Sequence, residues 1–297
     1  MNQLALPPDI SAVVRIALAE DIGTGDVSAA LIDRSTTAHA ILVAKEPAIL
    51  CGAAWFDEVF RQLDVSIAVA WQHPDGMELS ANSVVCELRG PAATILSGER
   101  TALNFLQTLS ATATSAHQFA SAVAHTQTRI LDTRKTLPCL RSAQKYAVRC
   151  GGAHNHRSGL FDAVLLKENH ISALGSISLA AQCARENSDG MLVEVEVETI
   201  KQFEEALSSS VDRLLLDNFS LAQLRQAVAL RDAQTGRTIE LEVSGNVALD
   251  NVRTIAEIGV DWISVGAITK NVRAIDYSLR FADQATASSK GLGISTP

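Results

Sequence analysis

The chain has no Cys-x-x-Cys pair, and its five cysteines (51, 86, 139, 150 and 183) are odd in number. That disfavours both a disulfide framework and a structural zinc site, and it fits a reducing compartment. No apolar run approaches the ~18 residues that a membrane span requires. The N-terminal MNQLALPPDI has neither the basic start nor the apolar core of a secretory signal. A cytoplasmic protein with no membrane partner is expected. No Gly-x-Gly-x-x-Gly follows a strand-like run, which argues against a dinucleotide turn. Positive charge is scarce overall: the formal net charge is −8, the wrong sign for a nucleic-acid surface.

Against that background one stretch stands out. Between Asp132 and His170 lie Arg134, Lys135, Arg141, Lys145, Arg149, Arg157 and Lys167, with His154, His156 and His170 beside them. Only Asp132, Asp162 and Glu168 oppose them. A cation-rich island in an acidic chain suits a pocket for a small polyanion. Arg141, Lys145 and Arg149 fall on a helix and could equally be solvent-facing ion-pair residues.

At 297 residues the chain is comfortable for two domains. Residues 9–19 have helical spacing, and AHAILVAKEPAIL reads as a strand broken at Pro47. GAAWFDEVFRQL is an amphipathic helix with Trp55, Val59 and Phe60 or Leu63 inward, and VSIAVAW and VVCELRG are strands. This first part, residues 1–115, is an α+β module. A helical pattern from about Thr94 to Ala124 follows, and its central Ser and Thr residues could split it into two helices.

From residue 116 to 274 the rhythm changes. The strand-like runs RILDT, DAVLLK, MLVEVEV, DRLLLD, TIELEV and DWISVG each lead to a helix-like run. Such alternation predicts a parallel sheet buried on both faces, closed or nearly closed into an α/β barrel. AIDYSLRFA is expected to be the last helix, part of a C-terminal helix over 275–297 that returns to the first domain. SSKGLGISTP reads as a loose tail.

The strand ends carry Asp132-Thr133-Arg134-Lys135, Lys167, Glu196, Asp217, Ser244-Gly245-Asn246 and Val265-Gly266. Residues at the C-terminal rim of a barrel converge on one opening, where barrel enzymes place their chemistry. Arg134, His156, Arg157 and Lys167 could hold a compact dianion. His154 and His156 lack a third ligand nearby and make a poor metal pair. Glu194, Glu196 and Glu198 share one strand face, and covering three carboxylates with helices would be costly. Facing the mouth, Glu196 with Asp217 suits Mg²⁺. Glu194 lies deeper and should need a buried cation, Lys167 or an arginine. The glycine-containing turns after the last two strands offer a phosphate cradle.

These motifs, in their order, resemble those of the quinolinate phosphoribosyltransferases: EDIGTGD, SGERTALNFLQ, DTRKTLPCLR, QKYAV, GGAHNHRSGL, LLKENHI, VEVEVE, LLLDN, EVSGN and ISVGAIT. The resemblance implies an N-terminal α/β sandwich-like domain joined to an open α/β barrel of about seven strands. It implies a homodimer, or an assembly of dimers, in which Arg100 reaches the partner subunit's site. It also implies Mg²⁺-dependent transfer from phosphoribosyl pyrophosphate to quinolinate, with loss of CO₂, in NAD biosynthesis. Carried over, Arg134, His156, Arg157 and Lys167 would grip quinolinate. Lys135, Lys167, Glu196 and Asp217 would serve catalysis, with Glu196 and Asp217 holding Mg²⁺ directly or through water. Lys135, Glu196, Asp217, Ser244, Gly245, Asn246, Val265 and Gly266 would bind phosphoribosyl pyrophosphate. Two loops depart from the family's pattern: Ala153 follows Gly151-Gly152, and SGN stands where some members have SGG.

Two other readings compete. One is a phosphate-binding barrel enzyme in which Lys167 forms a Schiff base. The other is a non-catalytic anion-binding paralogue, which should lack the full cation set and the Glu196/Asp217 pair.

Overall fold

The computed structural model describes residues 4–236 and 238–282. Among these, two compact units emerge, residues 4–114 with 273–282 and the described residues of 115–272.

The first unit is built on an antiparallel sheet. Strand β1 (Thr37–Ala44) lies between β12 (Tyr277–Phe281) and β5 (Val84–Pro91), and β3 (Ala68–Trp71) pairs with β5. Here one expectation fails. AIDYSLRFA is not helical: Tyr277–Phe281 pairs with Ala40–Ala44. Its alternation Tyr277, Leu279 (buried) against Ser278, Arg280 has the period of a half-buried strand, and the edge of β1 offers it a partner. The rest of the expected C-terminal helix, residues 283–297, and the expected tail lie outside the described residues.

Short strands β2 (Ala48–Ile49) and β4 (Glu78–Leu79) pair on their own. Helix α1 (Ile10–Ile22) ends at the left-handed Gly23. Helix α2 (Ala53–Leu63) buries Trp55, Phe56, Val59 and Phe60, a stripe at i, i+1, i+4 and i+5. Helix α3 (Ala92–Val123) is a single helix. Its central hydroxyls do not split it, and two of them hold the segment at residues 49–51. Ser110 Oγ accepts from Cys51 N at 3.0 Å, and Thr114 Oγ1 accepts from Ile49 N at 2.8 Å. Tyr277 donates its hydroxyl to Ser110 Oγ at 2.9 Å. The EDIGTGD and SGER motifs also meet here, since Asp26 accepts from Ser97 Oγ at 2.8 Å.

The second unit is a parallel sheet in the order β6-β11-β10-β9-β8-β7. Its strands are β6 (Arg129–Leu131), β7 (Val164–Leu166), β8 (Val193–Val197), β9 (Arg213–Asp217), β10 (Glu240–Ser244) and β11 (Trp262–Ser264). The segment before Asn155 adds a single parallel bridge, Leu131 to His154, at the open edge beside β6. Helices α4 (Arg141–Cys150), α5 (Glu168–Leu174), α6 (Ile177–Asn187), α7 (Ile200–Leu207), α8 (Leu221–Thr235), α9 (Val252–Ala256) and α10 (Ala267–Lys270) intervene.

One face of every strand feeds the apolar core: Ile130, Leu166, Val193, Val195, Val197, Leu214, Leu216, Leu241, Val243 and Ile263. Alternation therefore sends Glu194, Glu196, Arg213, Asp217, Glu242, Ser244 and Trp262 to the opposite, interior face. No helix among the described residues is long and apolar enough to cross a membrane.

Candidate active site

Because all six strands run the same way, their C-terminal ends open on one side. Arg134 and Lys135 follow β6, Lys167 follows β7, and Glu196 and Asp217 end β8 and β9. Ser244 closes β10 opposite Asp217, and Gly266 follows β11.

The loop bearing Arg134 and Lys135 is fastened from below. Gln144 accepts from Leu137 N at 2.8 Å and donates to Thr269 O at 2.8 Å. Thr269 Oγ1 in turn donates to Lys135 O at 2.8 Å. Arg141 crosses from Thr136 to Ser158, donating to Ser158 O at 3.0 Å.

Asp132 is the hub. Its Oδ1 accepts from Lys145 Nζ at 2.6 Å and from His156 N at 2.8 Å, and its Oδ2 from Asn155 Nδ2 at 2.7 Å. Lys145 also donates to His156 O at 2.7 Å. The solvent-facing alternative for Lys145 therefore fails: the helix turns this lysine inward, where a buried carboxylate meets it. Burial pushes Asp132 above the usual carboxylate range, and Lys145 opposes the shift.

Lys167 forms an ion pair with Glu196 and not with the deeper Glu194. Glu194 answers instead to an arginine, Arg213, acting at longer range, and its Oε2 lies 3.0 Å from His156 Nε2 without a hydrogen bond. Arg213 donates to Glu242 Oε2 at 3.2 Å and to Glu240 Oε2 at 2.7 Å, and it stacks 4.8 Å from the Trp262 ring. Glu194 and Glu242 have fully buried side chains. Burial, and then the proximity of Glu194, push Glu242 up to about 8.

His156 is consequently turned into the barrel interior, with only 8% of its side chain exposed. Arg157 is half-buried, and burial followed by the charge of Arg134 lowers its pKa. Arg134 Nε is buried and has no hydrogen-bond partner among the described residues.

At the other side of the mouth, Gly245 (φ 95°) and Asn246 (φ 51°) are both left-handed. A Cβ on Gly245 would stand 2.2 Å from Asn218 Oδ1, so that position needs glycine. Asparagine tolerates the left-handed region, which explains why SGN can replace SGG. A Cβ on Gly266 would meet Lys135 Cδ at 3.2 Å, so this glycine lets the Lys135 stem pass. Asn218 Nδ2 donates to Asp217 Oδ2 at 2.7 Å. Val265 has its side chain in the apolar core and could meet a ligand only through its main chain.

The remaining candidates disperse. His154 is exposed and edges the Trp262 ring at 5.7 Å. His170 caps α5, its Nδ1 accepting from Lys167 N at 3.1 Å. Arg100 is exposed on α3, in the first unit. Sequence reasoning missed Glu242, Arg213 and Asn218. Period-2 alternation in TIELEV already places Glu242 on the interior face, whereas DRLLLD, with three leucines in a row, carries no such signal for Arg213.

Comparison with known proteins decides the family. Residues 26–110 match the model for the N-terminal domain of quinolinate phosphoribosyl transferase, and residues 112–280 match that for its C-terminal domain. This chain belongs to the quinolinate phosphoribosyltransferase family. Among its relatives is the probable nicotinate-nucleotide pyrophosphorylase [carboxylating] of Bacillus subtilis, 40% identical over 88% of this chain and 89% of that protein. Quinolinate phosphoribosyltransferase [decarboxylating] 1b of Nicotiana tabacum is also 40% identical, over 92% and 82%. The solved nicotinate-nucleotide pyrophosphorylase of Francisella tularensis superposes with a TM-score of 0.90 at 44% identity, covering 94% of this chain and 98% of that one. The family's two-domain architecture, a small sheet domain and a parallel-strand α/β barrel, is the architecture found here.

Proposed function

We propose that this chain joins the phosphoribosyl group of phosphoribosyl pyrophosphate to the ring nitrogen of quinolinate and releases CO₂ and pyrophosphate. The product is nicotinate mononucleotide. The observation that carries this reading is the Arg134–Arg157 pair. Arg134 raises the cost of the Arg157 charge, and a buried Arg134 nitrogen lacks an acceptor among the described residues. An adjacent pair of carboxylates supplies the missing acceptors and the missing negative charge, each charge-assisted bond contributing about 1.5–3 kcal/mol.

Ser244, Gly245, Asn246, Gly266 and the main chain of Val265 would receive the 5′-phosphate. Lys135 and Lys167 would face the pyrophosphate, whose charge grows as the bond to the ribose breaks. Glu196 and Asp217 form an all-oxygen donor pair at adjacent strand ends. Such donors fit Mg²⁺ held directly or through water, and the bound ion would add charge neutralisation at the pyrophosphate. The two carboxylates would also hold the ribose hydroxyls while the anomeric carbon becomes cationic.

Once the ring nitrogen carries the ribose it is positive. It then accepts the electron pair of the adjacent carbon–carboxylate bond, CO₂ departs, and a proton takes its place. Positioning supplies most of the rate in such a site. Arg100, exposed on α3, would complete the site of a second subunit in a homodimer. The five cysteines, none of them in a disulfide, fit the reducing cytoplasm.

A Schiff-base role for Lys167 has less support. Lysine nucleophiles sit in apolar or cationic surroundings, and Lys167 instead pairs with a carboxylate. The deciding experiment supplies quinolinate, phosphoribosyl pyrophosphate and Mg²⁺ and follows nicotinate mononucleotide. The reading requires product that depends on both substrates. Product from nicotinate and none from quinolinate would overturn it.

A further inference from the structure

Lys135 rests on the turn that follows β11, through main chain and side chain alike. Its carbonyl accepts from Thr269 Oγ1 at 2.8 Å. Its stem passes over Gly266, where an added Cβ would lie 3.2 Å from Lys135 Cδ. Its own N–H donates to Thr133 Oγ1 at 3.1 Å, and that hydroxyl would lie 3.5 Å from the same added Cβ. One lysine thus meets both ends of a single short segment, residues 266–269.

The segment is held from beneath by a side chain that also holds the lysine's loop. Gln144 donates to Thr269 O at 2.8 Å and accepts from Leu137 N at 2.8 Å. Gln144 and Thr269 are both fully buried, where a lost hydrogen-bond partner is not replaced by water. A helical threonine commonly returns its hydroxyl to a carbonyl three or four residues earlier in its own helix. Thr269 instead gives it to a loop 134 residues away. The side chain of Lys135 is exposed and long, so fixing its root and stem limits the rotamers open to its ammonium. Arg134 has a separate hold, since Arg141 Nη2 donates to its carbonyl at 3.3 Å.

We propose that Thr269 is a positioning residue for the ribosyl donor: its hydroxyl fixes Lys135 against the turn bearing Gly266, so that the pyrophosphate-facing lysine and the 5′-phosphate cradle form one rigid piece. This rests on the reading of Lys135 and Gly266 as ligands of phosphoribosyl pyrophosphate.

Steady-state kinetics on the full-length enzyme test it, with wild type, Thr269→Val, Thr269→Ser, Lys135→Ala and the Thr269→Val, Lys135→Ala double variant. Valine keeps the volume and removes the donor; serine keeps the donor. Thr269→Val should lower kcat/KM for phosphoribosyl pyrophosphate about tenfold. The KM for quinolinate should stay as in wild type, because Arg134 keeps its own support. Thr269→Ser should restore most of the loss. In the Lys135→Ala background Thr269→Val should add little, because residues acting through one another are non-additive. Independent, additive losses would overturn the proposal, as would a serine variant no better than valine or an equal rise in KM for both substrates. If Thr269→Val does not fold, Thr269→Ala takes its place and is compared with Thr269→Ser, from which it differs by the hydroxyl alone. Wild-type protein that forms no nicotinate mononucleotide removes the functional reading and this proposal with it. An active wild type with additive losses removes the proposal alone.

Discussion

Lys145 Nζ lies 2.6 Å from Asp132 Oδ1, and both side chains are buried. The lysine comes from the QKYAV helix and the carboxylate from DTRKT, and together they bind the Asn155–His156 segment. Three motifs separated in the chain are thus one hydrogen-bonded object. Lys145→Met leaves Asp132 as a buried charge without its cation. Breaking such a pair costs about 3–5 kcal/mol. Urea denaturation should show that loss, and Asp132→Asn with Lys145→Met should recover part of it. A Lys145→Met protein as stable as wild type would refute the hub.

Arg134→Ala and Arg157→Ala should each raise the KM for quinolinate, by about tenfold or more. The circular dichroism spectrum should not change, since neither side chain fastens the barrel. Steady-state kinetics decide; an unchanged quinolinate KM in Arg157→Ala would take it out of the acid-binding set.

Gly245→Ala should impair the phosphate cradle, because its φ of 95° and the 2.2 Å approach of Asn218 Oδ1 leave no room for a methyl group. Asn246→Gly, at a φ of 51°, should be tolerated. The expected signature is a raised KM for phosphoribosyl pyrophosphate in the alanine variant alone. Equal behaviour of the two variants would mean that this turn carries no phosphate.

Burial raises Glu242 to about 8 from an ordinary value of 4.5. For an acid with a raised folded value, the folded state holds more protons than the unfolded one between those two limits. Its contribution to stability is therefore complete below about pH 4.5 and is lost as pH rises through about 8. Denaturation midpoints measured from pH 5 to 8 should fall more steeply in wild type than in Glu242→Gln. Parallel profiles would contradict that assignment.

A shared site makes a further demand. Arg100→Ala and Lys167→Ala proteins, each poorly active, should regain partial activity when mixed and allowed to exchange subunits. No recovery despite verified exchange would count against Arg100 serving a partner.

The barrel was legible because each largely apolar strand obeys one rule: the residues at its end carry chemistry-bearing side chains to the mouth. That rule located Lys167, Glu196, Asp217 and Ser244. It left two interior cations open for Glu194, Lys167 or an arginine, since register across neighbouring strands sets that, and the answer is Arg213. Lys145 was ambiguous for another reason: a helical lysine looks the same from the sequence whether it meets water or Asp132. The strand at Tyr277–Phe281 was missed because its partner, β1, lies more than two hundred residues earlier in the chain. Local periodicity cannot report so distant an edge.

The central claim is that this mouth alkylates quinolinate's ring nitrogen and so expels the carboxylate beside it. Quinolinate labelled at the C2 carboxyl tests it in one measurement. The account predicts one labelled CO₂ for each nicotinate mononucleotide formed, and none without phosphoribosyl pyrophosphate. Mononucleotide that retains the label, or CO₂ released without the ribosyl donor, would contradict it.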